Sequence, residues 1–226
     1  MSAIVKDRAR CSQGVSEVAI YEMVLNVIEN RNIGWDLIVD VGCGSGSLWS
    51  MLGKRFARYV GVDLIRYEAF PYVAEFVHAN LDAGEIDLPH GVADVVVAVE
   101  TIEHLENPRR LMRELVRLAR PDGLIIVTTP NQLSLLSKTC LLLKNQFVHF
   151  QERPGLYPSH LSALLEVDMF RLAKENGLTN VDILYTGNGR IPGVSMHWPQ
   201  RFCSHRGPLG RAFSDNLIMV ANKGAA

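Results

Sequence analysis

Asp36-Leu37-Ile38-Val39-Asp40-Val41-Gly42-Cys43-Gly44-Ser45-Gly46-Ser47 is the stretch on which the reading of this chain turns. Its apolar run, Leu37 to Val41, has the length and composition of a strand buried on both faces. Glycines at alternate positions, Gly42, Gly44 and Gly46, let the backbone turn sharply after that strand and come close to a ligand. The next segment, Ser47 to Phe56, reads as a helix whose free N–H groups would face the ligand. The spacing G-x-G-x-G is not the G-x-G-x-x-G of a dinucleotide turn, and no Lys-Ser/Thr pair follows as a phosphate loop requires. Asp40, just before the glycines, would repel a pyrophosphate but suits a cationic amino group. A tight strand–helix turn that binds nothing is the plain alternative.

Working outward, Val15, Val18, Ala19, Met23, Val24, Val27 and Ile28 recur at helical spacing, so Val15 to Ile28 reads as an amphipathic helix covering the sheet or the site. Tyr59–Val62 is a strand ending at Asp63. Val73–His78 is another, ending near Asn80-Leu81-Asp82, and Asp94–Val99 ends at Glu100. A helix is expected from Pro108 to Ala119, with the proline in its first turn. Pro121-Asp122-Gly123 reads as a turn, Leu124–Thr128 as a strand halted by Pro130, and Val167–Asn176 as a helix stopped by Gly177. Val181–Tyr185 and Leu217–Ala221 complete the strands. Strands alternating with helices predict an α/β doubly wound sheet, in which ligands bind beyond the carboxyl ends of the strands. Asp40, Asp63, Asp82 and Glu100 all fall there. Any one of them could be a solvated loop acid, but four on one rim point to a ligand.

The 226 residues suit a single domain, 1–226, with a sizeable core. A formal charge of −1 gives no global basic field, so nucleic acid is not the expected partner, although a local basic patch would suffice. Cys11, Cys43, Cys140 and Cys203 form no C-x-x-C pair and no signal peptide is visible, which favours free thiols in a reducing cytoplasm. The longest apolar stretch, Leu133–Leu143, is short and broken by Lys138, so no membrane span is expected.

Asp40-x-Gly42-x-Gly44-x-Gly46 resembles motif I of the class I S-adenosylmethionine (SAM)-dependent methyltransferases. Two further segments are similar to a large subgroup of that family: Glu103-His104-Leu105 with Pro108, and Arg120-Pro121-Asp122-Gly123 with Pro130-Asn131. Asp122 replaces the usual glycine. The resemblance spans about Leu37 to Lys223. It implies a Rossmann-like, mostly parallel seven-stranded sheet with the last strand antiparallel, and SAM as cofactor. It implies further that Asp63 accepts from both ribose hydroxyls, with Leu64 beside it, and that Asp82 accepts from the adenine amino group, with Asn80 a rival and Leu81 beside the ring. Asp40, Gly42, Cys43, Gly44 and Gly46 would hold the methionine end, with Val99 or Glu100 contributing backbone. Residues 1–34 would form a helical cap, and 131–165 and 187–213 substrate-side insertions. Similar enzymes of bacterial glycan and lipid clusters suggest that Leu135–Phe150 caps the cofactor and shapes the acceptor pocket; a core helix is the alternative.

Methyl transfer to an oxygen needs positioning and removal of a proton, for which a histidine near neutral pKa is suited. His104, just past the fourth strand, is the first candidate base, with packing against the cofactor loop as its structural alternative. His160 is the second and His149 the third. Glu100-x-x-Glu103-His104 is also similar to the metal-binding segment of ubiquinone-pathway and small-RNA 2′-O-methyltransferases, which implies a possible divalent cation on Glu100, Glu103 and His104 with His160. The expected acceptor is a hydroxyl of a small molecule, sugar or quinone-like compound. The rivals are an RNA ribose, SAM binding without turnover, and a nicotinamide-linked reductase. Arg190, His197, Trp198, Arg201, His205 and Arg206 populate 187–213, read either as a solvated loop or as a flap facing an anionic acceptor.

Overall fold

The computed structural model describes residues 10, 14–52, 54–152, 158–203 and 205–225. Cys11, Tyr157, most of the first thirteen residues of the expected cap and part of the 131–165 insertion lie outside them. Seven strands run β1 (Leu37–Val41), β2 (Arg58–Asp63), β3 (Glu75–His78), β4 (Ala93–Ala98), β5 (Ala119–Pro130), β6 (Leu178–Tyr185) and β7 (Asn216–Lys223). They form one sheet in the order β3-β2-β1-β4-β5-β7-β6, and β7 is antiparallel to both of its neighbours. The order reverses between β1 and β4, where ligands of doubly wound sheets bind.

Each central strand is buried on both faces, so the period-2 alternation of its side chains feeds two cores. On one face Val39, Val41, Val62, Val96 and Ile125 pack against helices α3 (Pro108–Leu118) and α5 (Glu166–Glu175). On the other, Ile38, Val95, Val97, Ile126 and Val220 pack against α1 (Val18–Glu29) and α2 (Ser47–Leu52). Two further helices are α4 (Leu135–Lys144) and α6 (Gly207–Phe213).

The termini follow local chemistry. Asn107 caps α3 by accepting from Arg110 N (3.0 Å), with Pro108 in the first turn. Gly177 follows α5 at φ +66°, as expected of a helix stop. Asp94, deep at the start of β4, accepts from the backbone N–H groups of Asp36 (2.9 Å) and Leu37 (2.8 Å) and pairs with Arg120 (2.6 Å), tying the entry of β1 to β4 and β5.

Several expected bounds shift. The first helix starts at Val18, not Val15, and both valines are 62% exposed; Ile20 and Tyr21 are buried instead. The helix after the glycines is six residues long because it ends at Leu52. β3 begins at Glu75, leaving Val73 84% exposed. The turn at Pro121-Asp122-Gly123 is absorbed into β5, where Asp122 adopts φ +60° and the register against β4 shifts. The Leu135–Phe150 element is not a core helix: Ser137 is the buried residue of α4, and Leu141, Leu142 and Leu143 are exposed.

Candidate active site

One open cleft of about 270 Å³ lies across the carboxyl rim of β1, β2 and β4. Gly42, Gly44, Asp63, Leu64, Leu81, Asp82, Val99 and Glu100 of the expected cofactor set line it, as do Asn80, His104 and His160. Asp40, Cys43 and Gly46 do not: they lie beneath or behind the turn.

The glycine turn is built by close approach. Gly42 (φ +80°) and Gly44 (φ +52°) both adopt the left-handed region, and a Cβ on the first would collide with Thr101, on the second with the Gly14 carbonyl. Gly42 N donates to Val62 O (2.7 Å) and Ser45 N to Gly14 O (2.9 Å), so the strap at residues 14–17 is laid directly over the turn. Ser16 N donates to the Tyr21 hydroxyl (3.2 Å), fixing that strap to α1. The role of this strap has no motif to announce it, because it is made of backbone contacts.

Asp63 sits at the end of β2, where its Oδ2 accepts from Gly44 N (2.9 Å) and its Oδ1 from Ile65 N (3.2 Å). Burial raises its pKa and those backbone donors oppose the rise. Asn80 and Asp82 divide their work. Asn80 Oδ1 accepts from Asp82 N (3.1 Å), shaping the loop, and Asp82 Oδ1 accepts from Glu106 N (2.9 Å) and Asn107 N (3.1 Å), fixing the entry to α3. Asp40 is 2% exposed; its Oδ2 accepts from the Tyr59 hydroxyl (2.6 Å), and burial raises its pKa to about 7. The bare backbone of Gly42 and Gly44 facing a carboxylate at Asp63 fits a nucleoside with an amino-acid tail.

The far end of the cleft is assembled from distant segments. Glu100 takes the left-handed conformation (φ +48°), an uncommon choice for a non-glycine residue. Its carboxyl is held by Thr128 Oγ1 (2.9 Å) and Asn216 Nδ2 (3.0 Å), and burial raises its pKa to about 8. Glu103 is fully buried and its pKa is pushed well above the usual range, first by burial and then by Glu100. Its Oε2 accepts from Thr129 Oγ1 (3.1 Å), and its backbone carbonyl accepts from Leu161 N (2.8 Å) and Ser162 N (3.0 Å), which brings residues 159–162 to the rim.

His104 Nδ1 lies 3.0 Å from the Ser159 carbonyl. A carbonyl only accepts, so Nδ1 carries the proton of the neutral ring and Nε2 the lone pair. Burial lowers the His104 pKa, and the carbonyls of Ser159 and Glu100 partly offset that. The His104 and His160 rings meet edge to face at 4.6 Å, and His149 stacks on His160 at 6.5 Å. Burial takes His160 to about 4 and His149 to about 3. Glu103, His104 and His160 offer ligand atoms within 4.8 Å of one another, while Glu100 is turned to Thr128 and Asn216.

The arginines of 187–213 are engaged by the fold. Arg190 pairs with Asp215 (2.6 Å) and reaches His149 Nε2 (3.0 Å), Arg206 pairs with Asp182 (3.3 Å), and Arg201 lies over Phe202. His205 Nδ1 meets the Tyr185 carbonyl, and Trp198 packs on Phe213. Of that segment's candidates, Arg190 alone approaches the cleft among the described residues, and it does so behind His149.

A family model described as a methyltransferase domain matches residues 31–183, which include the glycine turn and the rim of β1 to β4. The chain belongs to the SAM-dependent methyltransferases. Residues of the chain are 37% identical over 108 positions to a ubiquinone biosynthesis O-methyltransferase of Maricaulis maris, covering 43% of this chain and 41% of that protein. The chain therefore spans less than half the length of that relative. Among solved structures, the fold is similar to a SAM-dependent methyltransferase of Archaeoglobus fulgidus (TM-score 0.62, 16% identity, 90% and 93% of the two chains). It is also similar to the 1,6-didemethyltoxoflavin-N1-methyltransferase of Burkholderia thailandensis, solved with S-adenosylhomocysteine (TM-score 0.57, 16% identity, 92% and 80%). The methyltransferase fold, its antiparallel last strand and its cofactor class are thus those that motif I implied.

Proposed function

We propose that this chain transfers a methyl group from SAM to a hydroxyl oxygen of a small, uncharged acceptor such as a quinone-like ring or a sugar. One observation carries the reading: a single cleft joins the glycine turn and Asp63 to His104, and among its described lining residues there is no Lys or Arg. Burial favours the neutral forms of Glu100, Glu103, His104, His149 and His160 near pH 7, so an anionic acceptor would find no counter-charge there. The ubiquinone-pathway relative acts on oxygen by its name, which supports the choice of atom.

When bound, the cofactor supplies a methyl group already activated by a positive sulfur. In this reading the Gly42–Gly44 backbone and Asp63 hold it, and Asp82 and Leu81 flank its base. His104 takes the acceptor's proton on Nε2, while the Ser159 carbonyl keeps the ring in the tautomer that has that lone pair free. The strap at 14–17 and Ser159–His160 line two sides of the cleft.

A second reading is favoured by two buried atoms without a hydrogen-bond partner, Glu103 Oε1 and His160 Nδ1. Glu103, His104 and His160 would hold a divalent cation, which would polarise the acceptor hydroxyl. Rate retained in excess EDTA removes it. The main reading is tested by labelled-methyl transfer from SAM to a panel of phenols, sugars and short RNA, with mass spectrometry of the product. Methylated phenol or sugar is expected; transfer to RNA alone, or to nothing in a cell extract, contradicts it.

A further inference from the structure

His149 is held from two sides. Its neighbours in the chain are tied to α4: Val148 N donates to the buried Ser137 hydroxyl (3.4 Å), and Gln151 Nε2 donates to Cys140 Sγ (2.8 Å). Its ring is met by Arg190, whose Nη2 lies 3.0 Å from His149 Nε2. Arg190 is itself fixed, because Asp215 Oδ2 accepts from its backbone N–H (3.2 Å) and from its Nε (2.6 Å). Asp215 is buried, and its backbone is bonded to Asn131 N (2.7 Å) and Asn188 O (2.9 Å).

This chain of bonds has one direction. A guanidinium donates and never accepts, so His149 Nε2 presents its lone pair to Arg190 and the ring proton sits on Nδ1. Nδ1 has no hydrogen-bond partner among the described residues, yet it is not sealed from solvent. His149 lines the cleft and stacks on His160 at 6.5 Å and 20°, and His160 in turn meets His104. The wall of the acceptor end thus carries a lone pair at His104 Nε2 and an N–H at His149 Nδ1, with His160 between them. Packing alone asks for no particular tautomer, whereas reading a ligand does.

We propose that His149 Nδ1 donates a hydrogen bond to a second oxygen of the acceptor, with Arg190 as the positioning residue that fixes its tautomer. This rests on the reading above, in which His104 receives the proton of the methylated hydroxyl. The acceptor class narrows to compounds that carry, besides that hydroxyl, an ether or carbonyl oxygen able only to accept. The test pairs acceptors with analogues in which CH2 replaces the second oxygen: methoxyphenols with ethylphenols, and sugars with their carbocyclic analogues. In kcat/KM the wild type should favour the oxygen-bearing member by about five- to tenfold. His149→Phe should remove that preference through KM, leaving kcat and the CH2 analogue within a few-fold. His149→Asn keeps an N–H near the place of Nδ1 and should retain most of the preference. A packing role predicts the opposite order, with Phe the better tolerated. Nitrogen-15 NMR of the wild type should show His149 as the Nδ1–H tautomer, and Arg190→Leu should lose that single form. That variant strips buried Asp215 of its cation, so the two His149 variants decide if it does not fold. The inference falls, and the hydroxyl reading stands, if the wild type does not distinguish the pairs, if His149→Phe keeps the preference, or if His149 carries its proton on Nε2. Transfer to no member of any pair defeats the hydroxyl reading, and this inference with it.

Discussion

The two ends of the cleft are made in different ways. The cofactor end is backbone: two glycines in left-handed conformation, a strap laid across them, and a carboxylate at the end of β2 that receives the N–H of Gly44. The acceptor end is side chain: Glu100, Glu103 and His104 after β4, His149 and His160 from the insertion after β5, and Asn216 from β7. Backbone geometry within one turn survives wide changes in sequence elsewhere. A cluster drawn from three segments can be rebuilt residue by residue, which is how one fold serves many acceptors.

The largest effect should come from the acceptor end. His104→Ala is expected to lower kcat roughly 10²- to 10⁴-fold while SAM affinity stays within a few-fold. Equal losses in both quantities would mean that the two ends are one structural unit and that His104 only packs. Steady-state rates and calorimetry on the same variant decide between these outcomes.

A pH profile sharpens the same contrast. Burial holds the folded His104 pKa below its usual 6.5, so the base is unprotonated at neutral pH and activity should fall only as pH drops beneath that value. An acid limb at or above 6.5 would contradict the placement of His104 in a water-poor site.

Asp40 offers the smallest effect and probes the scaffold under the turn. Its folded pKa, about 7, lies above the ordinary 3.8, so its contribution to stability is complete below about pH 3.8 and is lost as pH rises through 7. Asp40→Asn can still accept from Tyr59 and is free of that loss. The variant should gain on the wild type between pH 5 and 8 by roughly a few degrees in Tm. Identical differences at both pH values would show that Asp40 is ionised in the fold.

What was legible in the sequence follows this division. The glycine turn and Asp63 were readable because they follow β1 and β2, whose apolar runs are plain; Asp82 follows the short, half-exposed β3, and only the resemblance singled it out. Val15 fits helical spacing yet is exposed, since the chain there serves as a strap, and Val18 opens α1 on its exposed side. The leucines of α4 suited a cap or a core helix equally, because periodicity reports an apolar face without reporting what it meets. Asp94 was readable only as part of a strand; its grip on the start of β1 is a contact across 58 positions. The meeting of His104 with His160 and His149 likewise depends on Glu103's carbonyl catching residues 161 and 162, a tertiary bond that no local pattern encodes.

The central claim is that Asp63, beside the bare turn, holds the cofactor's ribose. Calorimetric titration of S-adenosylhomocysteine into the wild type and into Asp63→Ala tests it most directly. The account predicts saturable binding to the wild type and a loss of about 100-fold or more in the variant, with the circular dichroism of the fold unchanged. Binding of near wild-type affinity by Asp63→Ala, or none by the wild type, would contradict it.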